Sequence, residues 1–512
     1  FSAVLPGETQ MVITGGVESS FDGLLLRGGL DVYGQSLSKL LQALHARDIK
    51  MPENMEIFRG RTNLYVTPKT QRFSEGILQT SGVQLLGTLL SEEKKEGRVT
   101  EMSARVTSFD LDSFLALQTG AEKGVLPDKK VITEKLAEFL GTIAPSNRYN
   151  VNLALMNSVF GGEILRNLSA QFSITKHSLQ VSDLITNFRD MDILGKGSVG
   201  FVADKPNKPQ INLELRLGRV ETERIIDVPT KEEQIAFFRQ ETENGVGWSL
   251  EQFDFSDLTW FDGTVSVNAS EMLHGIYDLK DVVFALEVND FTSEFKQLSA
   301  KLWGGQFNAS GSLQTGKLPS LSGKFDFSNI DFEYLHDFTD MFDALDGRLN
   351  FKGELTTSGF NFDTAVRNAQ GSFSMAARQM IVNGFDLERM VRAGNAVRVT
   401  SDINKIVQFA NEGGETVIET LTGNMNLSKG VLSSPGMPIV TETAHGSIKG
   451  QIDLMAWKLN VAVTILLKAL QPEDPPSIRL VFDGPIGNTA RDLDTESLES
   501  FITKTAARKV LN

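Results

Sequence analysis

"LSAKLWGGQFNASGSLQ", Leu298 to Gln314, alternates apolar and polar residues on both sides of a Gly-Gly pair. Alternation of this kind marks a strand with one apolar and one wet face. Gly304-Gly305 reads as a two-residue hairpin turn, because a primed turn needs positive φ at both central positions and glycine adopts it without strain. That turn sets Trp303 against Gln306, Leu302 against Phe307 and Ala300 against Ala309, with Lys301 facing Asn308 and Ser299 facing Ser310. The strand residues Leu302 and Ala300 then meet apolar partners, and Lys301 and Ser299 meet polar ones. Leu298, Ala300, Leu302, Phe307, Ala309 and Leu313 form a single apolar row, and the fold turns on what that row touches.

The pattern recurs along the chain. In "QINLELRLG" Ile211, Leu213, Leu215 and Leu217 alternate with polar residues, and in "NLSAQFSIT" Leu168, Ala170, Phe172 and Ile174 do so. Strands with one apolar and one polar face belong to antiparallel sheets; buried parallel strands would read as continuous apolar runs, which are scarce here. A second hairpin fits "GSIKGQIDLMAWKLNVAVTI". Turning it at Met455-Ala456 pairs Leu454 with Trp457, Ile452 with Leu459, and Ile448 with Val463. Met-Ala is a poor turn dipeptide, so a different loop is expected there.

Helices are few. Val131–Ile143 is amphipathic, Thr230 and Glu233 have capping-box spacing, Asn404–Glu412 reads as helical, and Asp494 is placed to cap a closing helix. Strand blocks end repeatedly in an Asp followed by a short apolar tag: "LDVYGQSLSKLL" (30–41), "FDLDSFLAL" (109–117), "IDFEYLHDF" (330–338) and "FDLERMV" (385–391). The expected fold is mainly β: an elongated, twisted antiparallel sheet of repeated strand blocks forming an open groove, with a few short helices. The expected segments are a β-repeat region over 1–125, a connecting helix and loop over 126–150, a β-repeat region over 151–228, a connecting helix over 229–249, a β-repeat region over 250–366, and a C-terminal region over 367–512 that ends in a helix.

Bulk properties narrow the function. A chain of 512 residues exceeds one ordinary core, and 41% hydrophobic residues permit extensive burial. The net charge of −15 and the lack of a dense Lys/Arg cluster argue against nucleic acid. Cysteine is absent, which removes thiolate catalysis, disulfides and cysteine metal sites. No apolar run reaches the ~18 residues needed to span a bilayer; the closest, Val461–Leu470, contains Lys468. The first residue is Phe1 rather than methionine, so the chain reads as a fragment or processed form, with room for a signal peptide or anchor upstream.

Catalytic constellations are missing. The histidines (His45, His177, His274, His336, His445) have no metal-ligand spacing, and neither a phosphate loop nor a nucleophile elbow occurs. "GKGSVG" places Gly195, Gly197 and Gly200 at dinucleotide-fold spacing, but a strand follows where a helix should begin, so a glycine turn is the better reading. Asp110/Asp112 and Asp492/Asp494 could hold Ca²⁺ or act as acid and base, yet they sit at helix starts, where Asp is expected as a cap. No cofactor is expected.

The second half carries a family resemblance. "LSAKLWGGQFNASGSL" resembles the apolar–aromatic–Gly–Gly hairpin of the AsmA family of bacterial envelope proteins. It is followed by "GKFDFSNIDFEYL" (323–335), by a stretch from Leu345 to Val391 with an Asp-Leu element, by "GSIKGQIDLMAWKLNV", and by "FDGPIGNTARDLDTESLESFI" (482–502), similar to the family's terminal Gly-Pro strand, Arg-Asp segment and helix. The match is good over 250–512 and confined to the strand-and-tag rhythm before that. The resemblance implies a Gram-negative periplasmic body held at the inner membrane by an anchor upstream of Phe1, a role in outer-membrane biogenesis, and carriage of phospholipid along a β-sheet groove, possible outer-membrane assembly factors being further partners.

Three functions follow. In the first, acyl chains lie against the row from Leu298 to Leu313 and against Ile448, Ile452, Leu454, Leu459 and Val463. Roughly twenty strands at about 4.8 Å each would give a trough on the order of 100 Å. In the second, the same faces pack as dry protein and the chain is an envelope scaffold working through sheet edges. The third, a glycan-active enzyme, fits poorly with 8% aromatics that are mostly Phe. The resemblance favours the first.

Overall fold

A strand that ends in a tight turn has little choice but to pair with its predecessor, and this chain applies that rule almost throughout. A computed structural model describes all residues except 45–48, 126, 203, 225–228, 239–246, 337–344, 384–385, 397–412, 468–469, 471–473, 487 and 512. The helix expected at Asn404–Glu412 lies outside the described residues. The fold is mainly β, with 25 described strands and a few short helices. It divides into two units: unit 1 is Phe1–Arg219 with Trp260–Asn268, and unit 2 is Val220–Thr259 with Ala269–Asn512.

In unit 1 successive strands pair antiparallel, from Ser2–Leu5 and Thr9–Ser20 up to Met191–Val202 and Lys205–Glu221. Among the described pairings, Gly97–Thr107 and Arg148–Phe160 depart from the all-antiparallel expectation and run parallel. A parallel pair cannot be joined by a tight turn, and the connection carries the helices Leu111–Thr119 and Lys129–Gly141. Unit 2 is antiparallel from Tyr277–Asn289 to Ala490–Asp494. The sheet is open rather than closed into a barrel.

The hairpin at 298–314 forms with a corrected register. Ala300 pairs with Phe307 and Leu298 with Ala309, where the Gly-Gly turn had set Ala300 against Ala309. The turn residues are Trp303 and Gly304, with φ of 51° and 73°. Gly305 is the first residue of the next strand, where only glycine fits, because a Cβ would come within 2.3 Å of the Ser328 carbonyl oxygen. The Trp303 ring lies nearly parallel to Phe327, at 6.2 Å, and contacts Tyr277, which helps offset the strain of a left-handed non-glycine residue. Moving the pairing by two residues leaves every side chain on its face, so the apolar row survives.

In the second hairpin Ile452 pairs with Leu459 and Ile448 with Val463, as the alternation predicts. Leu454 and Trp457 are loop residues rather than a strand pair. The loop is closed by Asp453, whose carboxylate accepts the amides of Met455 and Ala456 at 2.8 and 2.9 Å.

The recurrent tags cap the apolar face. The helix Leu37–Ala43 buries Leu37 and Leu40 against Phe58. Leu111 and Phe109 pack on a cluster of Val106, Leu155 and Leu165. The 3₁₀ turn Phe332–Leu335 drives Phe332 among Ala377, Met380 and Leu421. The helix Leu387–Ala396 sets Leu387, Met390 and Val391 against Leu498 and Ile502 of the closing helix Glu496–Leu511. Asp110, Asp331 and Asp386 each accept a backbone amide at the start of their tag; in the first tag Ser36 is the cap instead. The expected capping box forms too: Thr230 N donates to Glu233 and Glu233 N to Thr230.

Candidate functional site

The tags cover one end of each strand row and leave the middle of the apolar face with less cover. In unit 1 the rows next to the covered end hold Leu85, Ala104 and Leu153, and beyond them lie Phe73, Leu89, Met102, Val151 and Phe172, all in register across the sheet. Ala104 is buried and the others are half-buried. A cleft of about 390 Å³ opens on this surface, lined by Leu30, Val32, Phe73, Leu89 and Met102 among others.

In unit 2 the corresponding surface is aromatic. Phe307 lies 4.6 Å from Phe327 between ring centroids, Phe325 5.5 Å from Phe351, and Phe351 stacks on Phe373 at 5.8 Å with an interplanar angle of 7°. All five rings are half-buried. Gly353 makes room for the Phe373 ring: a Cβ there would be 2.3 Å from it. Each half-buried ring keeps some apolar area in contact with water, at roughly 25 cal/mol per Å².

The opposite face is wet. Lys301 pairs with Asp281 at 2.6 Å, Lys196 with Glu214 at 2.8 Å, and Lys324 with Glu354 at 3.8 Å, all exposed. Such pairs contribute little to stability but keep this side in solvent.

The residues singled out by alternation divide three ways. Ala300 and Leu302, both 6% exposed, and Leu459, 2% exposed, are buried within the protein. Leu298, Phe307, Ala309, Leu313 and Ile452 are half-buried on the apolar face, and Ile448 and Val463 pack from the half-buried zone onto the Met437 cluster. Leu454 is held in its loop, its amide donating to Gly430 O and its carbonyl accepting from Trp248 Nε1. Trp248 also meets Trp457 edge to face at 6.0 Å. The segment that follows continues along this end of unit 2: Phe253 N donates to Phe360 O, and Asn361 Nδ2 to Leu250 O. Sequence reasoning passed over Phe325, Phe351 and Phe373, although each sits in a period-two run.

The acidic pairs are structural. Asp110 accepts from Ser113 N and from Lys123. Burial pushes its carboxyl up, but these bonds outweigh it and hold it below the usual range. Asp112 is buried and accepts the amides of Gly161 and Gly162 at 2.7 and 2.8 Å, tying a hairpin turn to the helix Leu111–Thr119. Asp494 accepts Glu496 N at the start of the closing helix. "GKGSVG" is neither a nucleotide loop nor a turn: it lies inside the strand Met191–Val202, where Gly195 makes room for the side chains of Leu215 and Leu184. No metal-binding group of His, Asp and Glu occurs among the described residues, and no helix among them is long and apolar enough to cross a membrane.

The AsmA family model matches residues 154–437, more than half of the chain. No curated protein and no solved structure matches it.

Proposed function

We propose that this chain, which belongs to the AsmA family, is a non-enzymatic protein of the bacterial envelope that holds phospholipid with its acyl chains on the apolar face and passes it along that face. The observation that supports this reading is the half-buried Phe325–Phe351–Phe373 surface of unit 2, contiguous and without a charged residue in its rows. Acyl chains would take the place of water there, and the hydrophobic effect alone supplies the affinity. Transfer along a greasy path needs no nucleophile or metal. In this reading the chain works in the periplasm, held at the inner membrane by a segment outside this sequence, and serves outer-membrane biogenesis.

The test is purification in mild detergent, mass spectrometry of copurified lipid, and transfer of a labelled phospholipid between vesicles. Phospholipid is expected in the wild type. The double substitution Phe325→Gln and Phe373→Gln should lower the load severalfold, while Lys324→Gln on the wet face leaves it unchanged. A chain that carries no phospholipid and moves none between vesicles overturns the reading in favour of a scaffold.

A further inference from the structure

The apolar face of unit 1 changes character towards its far end. The strands Gln84–Lys94 and Gly97–Thr107 pair without a bulge, so alternate rungs stay on one face: Leu85 with Val106, Gly87 with Ala104, Leu89 with Met102. On that same face the next two rungs are Ser91 with Thr100 and Glu93 with Arg98. Four polar side chains thus stand where the alternation would otherwise set apolar ones, at the turn end of this strand pair, and three of them, Ser91, Thr100 and Arg98, form one group.

They are gathered on one atom. Ser91, 4% exposed, accepts from Arg98 Nη1 at 3.3 Å and from Thr100 Oγ1 at 3.0 Å. The Arg98 side chain is 30% exposed, and its nearest carboxylate, Glu93, stands 3.9 Å away and is itself 59% exposed. That separation is beyond hydrogen-bond reach, so the guanidinium charge is only loosely compensated. Tyr149 pairs in parallel register with Thr100 and continues the rung. An arginine fork next to hydroxyl groups suits a phosphate ester, which it can grip through charge-assisted bonds.

We infer that Arg98, Ser91 and Thr100 form a phosphate-binding site at the turn end of the strands Gln84–Lys94 and Gly97–Thr107, holding the phosphate of a lipid whose acyl chains lie on Leu89, Met102 and Phe73. This rests on the reading that acyl chains occupy that face. The apolar rungs run into the polar ones within a single strand pair, so the site meets a molecule that is greasy at one end and anionic at the other. It gives the face a preference for phosphate-bearing lipid over neutral lipid of equal chain length.

The experiment compares dioleoyl phosphatidic acid with dioleoylglycerol as competitors against a fluorescent fatty acyl probe, with inorganic phosphate alone followed by ³¹P NMR. The wild type should bind phosphatidic acid on the order of tenfold more tightly, the scale of a charge-assisted hydrogen bond. Arg98→Gln should abolish the preference and leave dioleoylglycerol binding unchanged. Arg98→Lys, which keeps the charge and loses the fork, should retain part of it and serves if the glutamine variant folds poorly. Equal affinity of the wild type for both lipids overturns the site while the acyl-chain reading stands, as does an Arg98→Gln variant that weakens both alike. Arg98-dependent binding of inorganic phosphate without a lipid preference overturns it in favour of a free-phosphate site. If neither lipid competes, the acyl-chain reading falls and takes this site with it.

Discussion

The two units solve the same problem with different side chains. Each has an open sheet whose apolar face is covered by short tags at one end of the strands. In unit 1 the uncovered surface is aliphatic, built on Leu89, Met102 and Val151, and gives way to the polar Ser91–Arg98 cluster. In unit 2 it is aromatic, its covered end holds two larger clusters, and the segment from Trp248 to Phe253 is tied along the other end. The contrast separates two roles that alternation merges. Residues under tags are dry core and carry stability. Residues between the covered ends keep contact with water and are free to carry binding. Polarity pattern is common to both; only the presence of a second protein layer distinguishes them.

The comparison predicts where damage is greatest. Leu387 is 1% exposed among Met390, Leu498 and Ile502, and Leu387→Asp would bury a carboxylate in an apolar cluster. The expected loss is about 4 kcal/mol or more, read as loss of the unit 2 transition in urea denaturation. A stable, fully folded Leu387→Asp variant would show that the tag is a loose cover rather than core.

A smaller effect tests the boundary between the roles. Leu302 and Ile452 look equivalent in sequence, yet Leu302 is buried and Ile452 half-buried. Leu302→Asp should destabilise unit 2 by about 3 kcal/mol, whereas Ile452→Asp, whose carboxylate can reach water, should cost about 1 kcal/mol and lower lipid load instead. Equal melting temperatures for the two variants would dissolve the distinction between covered and uncovered rows.

The smallest effect concerns the cover of unit 1. Glu56 accepts from Ser36 Oγ at 2.6 Å, from Ser38 N at 3.3 Å and from the Ser38 hydroxyl, and so fastens the start of the helix Leu37–Ala43. Burial pushes its carboxyl up, but the hydrogen bonds from Ser36 and Ser38 outweigh that and hold it below its ordinary value of 4.5. A depressed carboxyl contributes stability that is full above the ordinary value and is lost as pH falls through the lowered one. The protection of the helix amides against hydrogen exchange, measured relative to their intrinsic rates, should therefore fall below about pH 4.5, and Glu56→Gln should flatten that dependence while leaving unit 2 unaffected. An identical acid response in the variant would assign the loss to other groups.

Much of the fold was legible because the information is local. Period-two alternation identified strands and their faces, and Asp followed by a short apolar run identified tags such as Phe332 and Leu387. Register was less legible. Gly304-Gly305 satisfied the turn rule, but the need for Gly305 came from the Ser328 backbone of the next strand, a contact distant in sequence. The parallel pair was hidden for the same reason: nothing in Gly97–Thr107 or Arg148–Phe160 alone states which way the partner runs. The candidate site was half legible. Ala300, Leu302 and Leu459 have the same pattern as Phe307 and Ile452, and their burial comes from layers that the strands themselves do not encode.

The sequence by itself determined that this is a β protein with one apolar and one wet face, short helical covers, no cysteine chemistry and no catalytic motif, because side-chain alternation and caps are properties of neighbouring residues. The tertiary structure decided which apolar residues lie under protein and which remain half-open, and brought Arg98, Ser91 and Thr100 onto one atom. The first outcome depends on how far each tag reaches, which is set by packing between segments far apart along the chain; the second follows from the register of a single hairpin.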